Sequence, residues 1–358
     1  MGAQARADYW PTDGWEEASP RACGMDPDLL YRLRAYGDES APAVHGIAVV
    51  RHGYLVWEHY HHGFHHGSYH SVNSVTKSVL SALVGVALRE GLLDSLDRRV
   101  ADLLPAYASL LDDPGKRALT LRHLLRMAGG FPPMPIEEFP RLERPVEAAL
   151  ARPLAHAPGA TFQYDDASAH LVSAILARAA GTSVAAFARR ALFGPLGIRA
   201  EGAARAIREG TGGPHTAHPF GLWGDDADGC AWMVDRQGLH LGGFGLHLTL
   251  REMAKLGYLY LRGGRWDDAP IVPPDYVRVS TRPQSAAGDL GYGYLWWVPR
   301  HELDPSAFFA AGYGGQYIDV LPALDMVIAI ACSLDEGPVE THGRTVSRLA
   351  AAAILDHR

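Results

Sequence analysis

Hydrophobic and polar positions change rhythm several times along the chain. GIAVVRHG (46–53) is a β-branched run closing on His52-Gly53, and YLVWEHYH (54–61) follows at once. Two such runs around a Gly-containing turn predict a β-hairpin. Before them, Asp26 to Tyr36 predicts a short helix, with Asp26 as N-cap and Pro27 at the first helical position. SVTKSVLSALVGVALRE (74–90) predicts a longer helix stopped by Gly91. Its apolar residues spread almost all round the axis, the pattern of a buried helix.

From about 96 to 200 the text is helical and broken by Pro and Gly; 201–244 reads as a long loop rich in Gly, Asp and His. A helix over 249–264 follows. Strands are expected at YGYLWWV (292–298), FFAAGYGGQYIDVLP (308–322) and MVIAIAC (326–332), and a closing helix at 343–358. Strands at both ends with helices between them predict an α+β fold, one antiparallel sheet built from both termini with a helical insertion. The expected division is a discontinuous sheet domain, 1–95 and 245–358, and a helical domain, 96–244.

Composition narrows the class. Of 358 residues, 47% are hydrophobic and 20% charged, and the net charge is -7, which excludes a disordered or coiled-coil chain. No Lys/Arg run suggests a nucleic-acid partner. No window of 18 apolar residues suggests a membrane span. Cys23, Cys230 and Cys332 are odd in number and far apart, so they read as packing residues in a reducing setting. The N-terminus lacks a basic start and an apolar stretch, and the expected location is cytoplasmic.

Candidate chemistry begins with Ser74-Val75-Thr76-Lys77, an S-x-x-K at the start of the most apolar helix. Positions i and i+3 share a face, so Lys77 reaches the Ser74 hydroxyl. A serine hydroxyl needs a neighbouring base to become a nucleophile, and burial favours the neutral, basic form of lysine. The helix N-terminus favours a developing oxyanion.

His59, His61, His62, His65, His66 and His70 cluster just before Ser74. They lack the ordered spacing of a zinc site, and an exposed loop is expected, with no metal and no cofactor. Asp225, Asp226 and Asp228 miss the EF-hand pattern. No G-x-S-x-G and no nucleotide fingerprint is present. Trp296, Trp297, Phe308 and Tyr313 either wall an acyl pocket or pack the core.

Six blocks carry a resemblance: SVNSVTKSVLSALVGVALREG, LTLRHLLRMAGGF (119–131), PGATFQYDDASAHLVSAILARAAG (158–181), GGFGLHLTLREMAKLGYLYLRGGRW (242–266), YGYLWWVP (292–299) and AAGYGGQYIDVLP (310–322). In this order they resemble the serine β-lactamase-like, penicillin-recognising family, nearest its class C-related esterases and 6-aminohexanoate-dimer hydrolases. The resemblance implies an antiparallel sheet flanked by helices plus an all-helical domain, with the active site between them. It implies that Tyr164, of Tyr164-Asp165-Asp166, relays a proton beside Ser74. Asp166 stands where the family has Asn or Ser. It either faces Lys77, favouring the charged lysine, or caps the helix that follows. The family's third motif falls on Ala310-Ala311-Gly312, without the usual cation. That places Ala310 and Gly312 on the substrate side, where Asp166 of the second motif and Trp297 as a pocket wall are also expected, and the resemblance assigns the oxyanion hole to the backbone N–H groups of Ser74 and Tyr313.

The expected activity is a serine hydrolase that opens an ester or linear amide through an acyl-enzyme on Ser74, acting on a small molecule. An acyltransferase, a β-lactamase or D-amino-acid peptidase, and a catalytically silent binding protein of the same fold remain as alternatives.

Overall fold

The computed structural model describes residues 9–41, 43–134, 139, 142–199, 205–206, 231–300, 304–332 and 340–355. Cys230, Asp225, Asp226 and Asp228 lie outside them.

The helices are α1 (Pro27–Ala35), α2 (Val75–Arg89), α3 (Val100–Leu103), α4 (Leu121–Leu125), α5 (Pro145–Ala151), α6 (Asp166–Ala180), α7 (Val184–Ala188), α8 (Leu250–Leu261), α9 (Pro274–Ser280) and α10 (Glu340–Ala352). The strands are β1 (Val44–Arg51), β2 (Tyr54–Tyr60), β3 (Tyr69–Ser71), β4 (Arg205–Ala206), β5 (Met233–Val234), β6 (His247–Thr249), β7 (Arg265–Trp266), β8 (Ala269–Pro270), β9 (Ser285–Ala287), β10 (Leu290–Tyr292), β11 (Trp297–Val298), β12 (Phe308–Gly312), β13 (Gln316–Leu321) and β14 (Met326–Cys332).

Eight strands form one antiparallel sheet in the order β2-β1-β14-β13-β12-β11-β10-β9. The N-terminal hairpin therefore pairs with β14, the last strand among the described residues, as the order of the predicted elements requires. Its turn holds His52 and Gly53 at φ 55° and 92°, the left-handed conformations of a tight hairpin turn.

Both faces of the sheet are covered, which explains why MVIAIAC reads as unbroken apolar text. Val327, Ala329 and Ala331 join a core shared with α2 and α8; Met326, Ile328, Ile330 and Cys332 join a second core with α1 and α10. The strand still alternates, but both sides are dry. Helix α2 runs through the larger core with thirteen buried residues, against β12 and β13 on one side and α6 on another.

Three expectations change. YGYLWWV is a turn between two strands, with Leu295 at φ 60°. It is pinned there because Leu295 N–H donates to Leu125 O (3.0 Å) and Ser78 Oγ donates to Leu295 O (2.7 Å). FFAAGYGGQYIDVLP is likewise a hairpin, turning at Gly314 and Gly315 with φ 81° and 93°. The described end of the expected long loop, 231–244, is a hairpin buried except at its turn, 236–239. Asp235 caps its turn by accepting from Gln237 N (2.8 Å) and Leu239 N (2.9 Å). Cys23 and Cys332 are buried free thiols. Among the described residues, no single helix is long and apolar enough to cross a membrane.

Candidate active site

Four segments meet where α2 begins. Asn73 stands at φ 48°, a left-handed position that asparagine tolerates better than most residues. This kink delivers Ser74 onto the first turn of α2 with its backbone already helical, φ -68° and ψ -7°, and with no capping bond from its hydroxyl. The Ser74 oxygen instead accepts from Lys77 Nζ at 2.9 Å. The spacing of the S-x-x-K motif thus has the geometric result its sequence predicts.

Lys77 is 1% exposed. Its Nζ also donates to Asp166 Oδ1 (2.5 Å) and to the Gly243 carbonyl (2.6 Å). An ammonium carries three donors, and all three are used. Burial alone would lower the Lys77 pKa. The Asp166 charge and Tyr164 outweigh that burial and hold Lys77 above the ordinary lysine value. In this arrangement Lys77 is a cation. A neutral amine in the same place would keep two donors for Asp166 and Gly243 and turn its lone pair to Ser74.

Asp165 and Asp166 divide the work that the sequence left open. Asp165 is the cap of α6: it accepts from Ser168 N (3.0 Å) and from Ser168 Oγ (2.7 Å), and Arg152 grips both of its oxygens (2.8 and 3.1 Å). Asp166 is therefore not a helix cap; it faces Lys77. Gly243 makes that approach possible, because a Cβ there would lie 2.4 Å from Asp166 Oδ1.

Tyr164 places its ring 4.7 Å from Lys77 Nζ and stacks on Trp297 at 5.8 Å and 17°. Trp297 in turn stacks on Phe309 and meets Tyr292 edge-on. Burial separates the four candidate aromatics. Trp296 and Phe308 pack together in the core, while Trp297 is half-buried beside Tyr164 and Tyr313 is exposed.

The fourth segment is the end of β12. A Cβ on Gly312 would sit 2.2 Å from Val72 O, so glycine is what lets the strand lie against the approach to Ser74. The Asn73 amide donates to Tyr313 O at 2.7 Å and ties the following turn beside Ser74. Ala310 departs from its expected place on the substrate side. Its side chain is 1% exposed and belongs to the same apolar cluster as Val72 and Val75. The reason is strand parity: β12 alternates buried and half-buried from Phe308 to Gly312.

Sequence reasoning missed Asn73 and Gly243. Asn73 could have been found from its position before the serine. Gly243 acts through a backbone carbonyl that any residue possesses, so its identity carries only the close approach. The ribbon bearing it is fastened to α6 by the buried pair His170 Nε2–Asp235 Oδ2 (3.1 Å) and by Ser173 Oγ donating to His240 O (2.6 Å).

Residues 34–353 match the family model Beta-lactamase, and the chain belongs to that family. Its fold is the β-lactamase/transpeptidase-like one. No curated protein matches the chain. Among solved structures it is similar to a Bacillus anthracis protein assigned as a 6-aminohexanoate-dimer hydrolase (TM-score 0.72, 17% identity, 98% of this chain and 88% of that one). It is also similar to a family VIII carboxylesterase (0.69, 15%, 91% and 97%). A third is EstCE1, a hydrolase with promiscuous acyltransferase activity (0.67, 17%, 92% and 99%). At these identities the likeness shows the fold alone.

Proposed function

We propose that this chain is a serine hydrolase that opens an ester or linear amide through an acyl-enzyme on Ser74. The observation that carries the reading is the Ser74 hydroxyl itself, withheld from helix capping and held 2.9 Å from a buried lysine. Lys77 in its amine form takes the Ser74 proton; Tyr164, against Lys77, relays it to the leaving group. The N–H groups of Ser74 and Tyr313 receive the oxyanion, helped by the start of α2. Trp297 and Tyr164 form the apolar wall on which the substrate lies. The cleft is taken as the junction of a sheet domain (1–95 and 245–358) and a helical domain (96–244). No step uses a cofactor.

The esterase and amide-hydrolase reading is favoured over a β-lactamase because Ala310 offers no charge and no exposed surface to a substrate carboxylate. Cephalosporin turnover should therefore be slow beside ester turnover; rates for cephalosporins far above those for p-nitrophenyl esters overturn this preference. Water is the simplest acyl acceptor, and adding an alcohol to the ester assay reads whether transfer competes with hydrolysis. The serine assignment is tested with a fluorophosphonate probe. The expected adduct is on Ser74, and Ser74→Ala abolishes it together with turnover. A probe mapped by peptide mass to another serine sinks the assignment.

A further inference from the structure

The histidine-rich stretch before Ser74 is only in part the exposed loop its composition predicts. His61 and His70 are buried and His59 is half-buried, while His62, His65 and His66 are exposed. His59 lies on β2, the outermost strand of the sheet, and His61 follows directly after its end. Residues i and i+2 of an extended chain share a face, so both imidazoles stand on one side. The turn 36–40 brings Asp38 to them.

We propose that Asp38, His59 and His61 form a binding site for a divalent transition metal ion, zinc being the natural occupant. One ligand atom from each of the three lies within 4.8 Å of the other two. His61 Nδ1 is already 2.8 Å from Asp38 Oδ1. The rings of His59 and His61 are 4.7 Å apart at 76° and meet edge-on rather than stacked. His61 has no freedom to turn away. Its side chain is fully buried, and its Nε2 packs against Gly37, where a Cβ would come within 2.3 Å. Nε2 is shut in against Gly37, and Nδ1, which faces Asp38, is the nitrogen left for a ligand role.

Zinc bonds to nitrogen and oxygen of about 2.0–2.2 Å set tetrahedral ligands about 3.3 Å apart. The widest gap therefore closes by about 1.5 Å at most and the His61–Asp38 pair opens by about 0.5 Å, both within reach of the exposed Asp38 and half-buried His59 side chains. The metal takes the place of the proton on His61 Nδ1, and that proton is released. Two imidazoles and one carboxylate suit zinc, nickel or cobalt and disfavour magnesium and calcium, which want oxygen. Arg34 binds the other carboxylate oxygen, Oδ2, at 3.3 Å and leaves Oδ1 to the metal. Water fills the remaining positions on the open side.

This site is separate from the cleft. Four strand steps divide β2 from β12, about 19 Å across the sheet at the usual strand spacing. Its effect is structural: a bound ion clasps the turn 36–40 onto the end of the edge strand β2, and binding only the folded chain raises its stability.

The test is titration of the chelator-stripped, full-length protein with zinc by calorimetry, with cobalt absorption as a second reading. One ion per chain is expected. His59→Ala and Asp38→Asn, at positions that are not buried, should each weaken binding at least about tenfold. The double variant His65→Ala/His66→Ala should leave it unchanged. Zinc should also move the imidazole nitrogen resonances of His59 and His61 in the unaltered protein, a reading that needs no variant. The proposal is overturned if neither single variant weakens binding, if the double variant abolishes it, or if those resonances do not move.

Discussion

Helices α2 and α6 both start at the cleft, are both 15 residues long and are both largely buried, yet their first residues are used in opposite ways. Asp165 sits extended and spends its carboxylate on the α6 backbone and on Arg152. Ser74 stands at the same position of α2 and caps nothing. A serine N-cap is worth roughly 1 kcal/mol, and α2 does without it. Its entry is secured by Thr76, whose Oγ1 donates to Asn73 O (2.6 Å) and accepts from Leu246 N (3.3 Å). Stability is bought from residues around Ser74, and the hydroxyl stays available to Lys77.

The comparison can be broken by exchanging one side chain at each helix start. Ser74→Ala should reduce turnover at least about 10⁴-fold. It removes no cap but takes one acceptor from the buried Lys77 ammonium, so stability should fall by about 1–3 kcal/mol. Asp165→Ala should cost about 3 kcal/mol or more, because it strands Arg152 beside an uncapped helix. Urea midpoints of the two variants read this directly; equal losses would mean that Ser74 is a cap after all. A smaller effect belongs to Gly243→Ala. The new methyl meets Asp166 Oδ1 and has to push it off Lys77, so overpacking of about 1–3 kcal/mol should accompany a fall in kcat/KM. Unchanged kinetics in that variant would show that the Lys77–Asp166 contact is unimportant to turnover.

Local chemistry was the legible part of this molecule. S-x-x-K is a contact within one helical turn, so spacing alone predicts it. The hairpin at His52-Gly53 announces itself through its turn residues, and the pairing of both chain ends follows from element order. Contacts set by the rest of the fold were hidden. Leu295 takes a left-handed turn with no Gly or Asn at that position to mark it, because Leu125 and Ser78 hold its backbone from other elements. The neighbours Asp165 and Asp166 are chemically identical, and only the phase of α6 decides which one caps and which one faces Lys77. The buried side of His61 was invisible for the same reason: its neighbour Gly37 comes from a distant turn of the sequence.

The charge of Lys77 is the centre of the account, and Asp166 sets it. Asp166 and Tyr164 hold the lysine above its ordinary value against its burial, so the amine form that the proposed mechanism needs at Ser74 grows only as pH rises. The direct measurement is the pH profile of kcat/KM on one ester for the unaltered protein and for Asp166→Asn, with folding verified. Removing the carboxylate charge lowers the Lys77 pKa, so the acid limb should move to lower pH, each unit of movement corresponding to about 1.4 kcal/mol. An acid limb that stays in place while the variant remains folded and active would contradict the account, since Asp166 would then not govern the base that opens Ser74.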